Sequence, residues 1–63
     1  MKTAERRNAI LKLLQNAEEP VAARKLAERY GVSRQVIVQD IALLRAGNEE
    51  ILSTNRGYLL QKK

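Results

Sequence analysis

Two glutamines one helical turn apart, Gln35 and Gln39, carry the most specific chemistry in this 63-residue chain. A carboxamide sets a donor beside an acceptor, the pattern that pairs with N6 and N7 of adenine in the major groove. Val38 and Ala42 lie among them and are short enough to meet thymine methyl groups. Arg34 precedes the set and Arg45 follows it, where each can reach a phosphate. Catalytic chemistry is poorly supplied by comparison. With no histidine and no cysteine, the chain lacks disulfides, thiolate nucleophiles and the commonest zinc ligands together. Its acidic pairs, Glu18/Glu19 and Glu49/Glu50, are loop neighbours and not partners across a site. A core of this size also leaves little concavity for a pocket. The inventory points away from an enzyme and calls for no cofactor within the chain. It points to double-stranded DNA as the partner. A face that reads another protein through Gln35, Val38 and Gln39 is the alternative.

For these side chains to act together they must stand on the outer face of one helix. Ile37, Ile41 and Leu44 recur at i, i+4 and i+7, the stripe of a helix over about 33–46. At about 100° per residue, Gln35, Val38, Gln39 and Ala42 fall opposite or well away from that stripe. An ordinary solvated face favours Glu and Lys, which are strong helix formers, and this face has neither. Ser33 is placed to cap the helix by accepting from its free N–H groups, and its hydroxyl is also a candidate phosphate contact. Upstream, Leu26, Ala27 and Tyr30 are the apolar positions of a helix over about 23–30. Gly31 suits the left-handed cap that ends it, and Val32 plugs the turn. A glycine-ended helix followed by a Ser-capped one is a helix-turn-helix, whose second helix enters the major groove. Arg24 and Lys25 lie on the polar face of the first of the two and are candidates for phosphate. Glu28 follows them by four and three residues, which allows weak pairs worth a few tenths of a kcal/mol.

A helix over about 3–16 precedes this pair. Thr3 is expected to cap it, Glu5 meets its positive end, and Ile10, Leu13, Leu14 and Ala17 form its stripe, with Leu11 on the flank. Arg6, Arg7 and Lys12 read as a solvated edge. Pro20 breaks the chain, and Val21 either makes a short strand or plugs the core. After Arg45 the period shortens, giving strands over about 50–53 and 58–61. Asn55-Arg56-Gly57 turns between them, with positive φ expected at Gly57 and tolerated at Asn55. Ile51 or Leu52, and Leu59 or Leu60, should pack inward. Arg56 at the tip buries nothing and is a candidate for a phosphate or a narrow minor groove. Gln61-Lys62-Lys63 reads as a frayed end or the start of a linker. The expected fold is mainly α with a small β-hairpin: a single winged helix-turn-helix of three helices and a two-stranded wing. Twelve Lys and Arg against seven Asp and Glu, net +5, favour a polyanion. No run approaches the roughly 20 apolar residues of a membrane span, and Met1–Asn8 is too polar for a signal peptide. The expectation is a cytoplasmic protein with no membrane partner.

SRQVIVQDIALLRA, from Ser33 to Ala46, together with the downstream RGYLL, resembles the N-terminal winged helix of the niacin-responsive transcriptional repressors, a helix-turn-helix of type 11. More distantly, the frame SR..I...I..LR and a GY wing strand are similar to the DNA-binding domain of the biotin ligase repressors. The resemblance runs from about Arg6 to Leu60. It implies the DNA-binding module of a bacterial repressor, a homodimer when attached to a full-length protein. Arg34, Gln35, Val38 and Gln39 fall on its groove-facing positions and Arg56 on its wing. Two departures stand out. Those proteins continue into a histidine-rich, metal-binding effector domain, so effector response does not carry over to a chain without histidine. Asn48-Glu49-Glu50 is also more acidic than the corresponding stretch of those relatives.

Overall fold

The computed structural model describes residues 2–61, so the reading of Lys62-Lys63 lies outside the described residues. Three helices, α1 (Thr3–Asn16), α2 (Ala23–Tyr30) and α3 (Arg34–Ala46), are followed by strands β1 (Ile51–Thr54) and β2 (Gly57–Leu60). The strands pair antiparallel as a hairpin, which makes the fold a winged helix-turn-helix. One core unites all five elements. Ile10 and Leu14 from α1, Leu26 and Ala27 from α2, Ile37 and Ile41 from α3, and Ile51 from β1 are buried in it. Leu13, Tyr30, Val32, Leu44, Tyr58 and Leu60 pack around them.

Local signals set most of the helix ends. Gly31 adopts φ 65°, the left-handed cap, and Val32 N–H then reaches the Ala27 carbonyl at 3.0 Å. Ser33 Oγ accepts from Val36 N–H at 3.2 Å and starts α3. Thr3 departs from its expected role. It is the first residue inside α1, the cap position falls on Lys2, and no side chain closes that end. A hydroxyl already within the helix no longer faces the free N–H groups of the next turn. At the far end of α3 it is Asn48, φ 72°, that takes the left-handed conformation, while Gly47 stays at φ −88°.

The wing strands sit about one residue from their expected bounds. Ile51 faces Leu60, Leu52 faces Leu59, Ser53 faces Tyr58 and Thr54 faces Gly57, so Asn55 and Arg56 alone make the turn. Ile51 and Leu60 are the inward pair, and Leu52 is left 45% exposed. Asn55 keeps a negative φ. The turn is held by Thr54, whose Oγ1 accepts from the N–H groups of Arg56 and Gly57 at 3.1 Å each and donates to the Gly57 carbonyl at 2.8 Å. Val21 both bridges and plugs. Its N–H donates to the Tyr58 carbonyl at 2.9 Å, Tyr58 N–H donates back at 2.8 Å, and its side chain packs on the core.

That bridge explains Gly57. A Cβ there would lie 2.4 Å from the Val21 carbonyl carbon and oxygen and 2.6 Å from Ala22 N, at a φ of +140° that side chains rarely adopt. Gly57→Ala is expected to separate β2 from Val21 and lower stability by about 2–3 kcal/mol. A thermal melt combined with amide exchange at Tyr58 checks it, and retention of a protected Tyr58 amide would contradict the assignment.

The largest correction concerns Arg6. It leaves the surface edge assigned to it beside Arg7 and Lys12 and crosses to α3. There Nε donates to Asp40 Oδ2 at 2.5 Å and Nη2 to Oδ1 at 3.1 Å, a two-pronged grip. Asp40 is 2% exposed, on the core side of α3 between Ile37 and Ile41. A buried carboxylate requires a cation, and the fork of an arginine meets both oxygens. Hydrogen bonding to Asp40 raises the Arg6 pKa above its already high ordinary value, so the guanidinium keeps its charge.

Candidate nucleic-acid interface

With Ile37, Asp40 and Ile41 turned into the core, the opposite side of α3 is fixed in space. Gln35, Val38, Gln39 and Ala42 are all exposed there, with Val38 at 45%. The hydrophobic stripe on one side thus presents two carboxamides and two short apolar groups on the other, with no formal charge among them. Such a surface can match base edges by hydrogen bonding and methyl contact, which a uniformly charged face cannot.

Charge is concentrated beside it. Arg24 at the start of α2, Arg34 at the start of α3 and Arg56 in the wing turn line one cleft of about 320 Å³. Ala22, Ala23, Ser53, Thr54, Asn55, Gly57 and Tyr58 complete its walls. The cleft exists because the Val21–Tyr58 bridge lays the hairpin against the beginning of α2. Two helix N-termini therefore border it, each adding partial positive charge to the guanidinium groups. Arg24 makes a loose, largely exposed pair with Glu28 at 3.9 Å, which leaves it available. Among the described residues, Arg34 and Arg56 have no carboxylate within ion-pair distance. Three positive groups facing an open cleft suit a phosphate backbone passing between α3 and the wing.

The other candidates stand elsewhere. Lys25 lines a different cleft, together with Glu18, Glu19 and Pro20. Ser33 Oγ accepts from Val36 N–H at the first turn of α3, which leaves its O–H to donate. Arg45 is occupied at the opposite end of α3, where Nε donates to the Ile51 carbonyl at 2.9 Å. Two contributors escaped the sequence reading. Thr54 shapes the tip that carries Arg56, and a threonine immediately before Asn-Arg-Gly was its signal. The Arg6–Asp40 pair ties α1 to α3, and an aspartate on an otherwise apolar stripe was the sign of it. Among the described residues, no helix is long and apolar enough to cross a membrane.

Comparison with known proteins agrees with the helix-turn-helix fold. The sequence matches the HTH domain family over residues 6–59, from the first turn of α1 into β2. It is 52% identical to the probable transcription repressor NiaR of Thermotoga maritima, an alignment covering 95% of this chain and 35% of that protein. It is 46% identical to the transcription repressor NadR of Bacillus subtilis, covering 89% of this chain and 31% of the relative. The chain thus spans about a third of the length of these curated relatives. Both are transcription repressors by name, the class to which SRQVIVQDIALLRA and RGYLL pointed.

Proposed function

Because the chain belongs to the helix-turn-helix (HTH) domain family, we propose that it binds double-stranded DNA in a sequence-specific way, as the DNA-reading module of a bacterial transcriptional repressor. One observation carries the reading: an exposed, uncharged face of α3 adjoins a cleft lined by Arg24, Arg34 and Arg56. In this arrangement α3 lies in the major groove, with Gln35 and Gln39 on base edges and Val38 and Ala42 against thymine methyls. The arginine cleft receives the neighbouring backbone, and the wing follows it toward the minor groove. Reading by these groups needs no cofactor and no catalytic step. A second copy in the full-length homodimer would set another α3 about one helical turn along the duplex, so one module alone holds a half-site weakly. The place of action is the cytoplasm, where bacterial DNA lies.

Salt dependence tests the proposal. Three arginines each neutralising one phosphate give a log–log slope of binding against salt of about −3, since each contact contributes roughly −0.9. Titration of duplex DNA at several salt concentrations measures it. A flat response, or no binding at low salt, would overturn DNA recognition and leave the Gln35–Val38–Gln39 face to a protein partner.

A further inference from the structure

Arg45 was a candidate for phosphate contact, yet its strongest tie is internal. In the hairpin Ile51 stands opposite Leu60, and the Gln61 N–H donates to the Glu50 carbonyl at 2.8 Å. Hydrogen-bonded pairs alternate with unbonded ones in an antiparallel ladder, so Ile51 falls at an unbonded position and turns both backbone groups away from β2. Its N–H donates to the Glu49 carbonyl at 3.1 Å, and its carbonyl receives Arg45 Nε at 2.9 Å. Ile51 is 5% exposed, and a backbone carbonyl at so buried a residue calls for a partner. Arg45 supplies it from the last turn of α3.

The anchor lies at the base of the wing and Arg56 at its tip. The cleft holds Arg56 together with Arg34, so β1 runs back alongside α3 from the Arg45 end to the Arg34 end. Strand β2 is held independently, by Val21. On the α3 side, the base is fixed by Arg45 and by the four-residue connection from Gly47 to Glu50. A movement at Ile51 is carried along a strand that rises about 3.3 Å per residue and is displayed at the turn.

We propose that Arg45 is a positioning residue, which fixes the wing against α3 through the Ile51 carbonyl and thereby sets where Arg56 stands beside the reading face. Its effect on DNA passes through Arg56 and not through a phosphate contact of its own. This rests on the DNA-binding reading above. The role needs the directed Nε–H of a guanidinium, which the point charge of lysine does not reproduce.

The test uses Arg45→Met and Arg45→Lys, alone and with Arg56→Ala. In the free protein, backbone relaxation at Asn55, Arg56 and Gly57 should show a loosened tip in both Arg45 variants while the α1 and α2 amides stay as in the parent. Unchanged order at the tip would overturn the proposal without reference to DNA. With a mixed-sequence duplex, Arg45→Met and Arg45→Lys should weaken binding by similar factors, neither exceeding the loss from Arg56→Ala. In the Arg56→Ala background neither should weaken it further or alter the salt slope. Near-parental binding by Arg45→Lys overturns the proposal in favour of a simple charge. So does a slope shallower by about one unit for Arg45→Met in the Arg56→Ala background, the mark of a direct phosphate contact. A parent protein that fails to bind the duplex at low salt defeats the DNA reading alone, and the relaxation comparison still decides the role of Arg45.

Discussion

Replacement of Arg6 by alanine is expected to unfold most of the domain at room temperature. It leaves the Asp40 carboxylate, 2% exposed on the core side of α3, with no cation. Removing one partner of a buried pair costs about 3–5 kcal/mol, because the remaining charge has lost both water and counter-charge. A 63-residue chain without disulfides has a total reserve of the same order. The double change Arg6→Met with Asp40→Leu removes both charges while keeping the volume, and should restore a melting temperature equal to or above that of the parent. Thermal melts of parent, single and double variants form the test. A single variant that melts within a few degrees of the parent would mean that Asp40 reaches water by a local opening of α1. A double variant as unstable as the single one would mean that the contact sets the packing of α1 on α3 and does more than neutralise a charge.

The second large effect is expected in specificity. Gln35→Ala and Gln39→Ala each remove a carboxamide from the exposed face of α3, at about 1–3 kcal/mol of base discrimination for a good pair. Binding to the preferred site should fall by that amount in each variant, while binding to a scrambled sequence should hardly change. Because both positions are exposed, stability should stay within about 0.5 kcal/mol of the parent. Arg56→Ala should behave oppositely, weakening both sequences and making the salt slope shallower by about one unit. Paired titrations on preferred and scrambled duplexes, at one fixed salt and with melts as controls, separate the two behaviours. Equal losses on both sequences in the glutamine variants would show that α3 does not read bases.

The division between what was legible in the chain and what was not follows the range of the forces involved. Gly31, Ser33 and the spacing of Ile37, Ile41 and Leu44 act within a turn or two of themselves. They determined α2, the turn, α3 and the outward face of Gln35, Val38, Gln39 and Ala42 without help from distant residues. The hairpin was legible for the same reason, although its strands moved by about one residue because Thr54 closes a shorter turn than the composition suggests. The rest depended on residues far apart in the chain. Arg6 and Asp40, 34 positions apart, look like a surface cation and a misplaced acid until packing buries one and brings the other to it. Gly57 reads as a turn residue, yet its lack of a Cβ is required by Val21, which crosses from another element. Eight Arg and Lys side chains stood as candidates or edge charges on equal terms, since long flexible cations carry no local signature of where they point. Only the pairing of β2 with Val21, just ahead of α2, gathers Arg24, Arg34 and Arg56 into one cleft, and only the ladder of β1 turns a carbonyl toward Arg45. Periodicity and capping are properties of neighbours, whereas a cleft or a buried ion pair arises when separate elements meet.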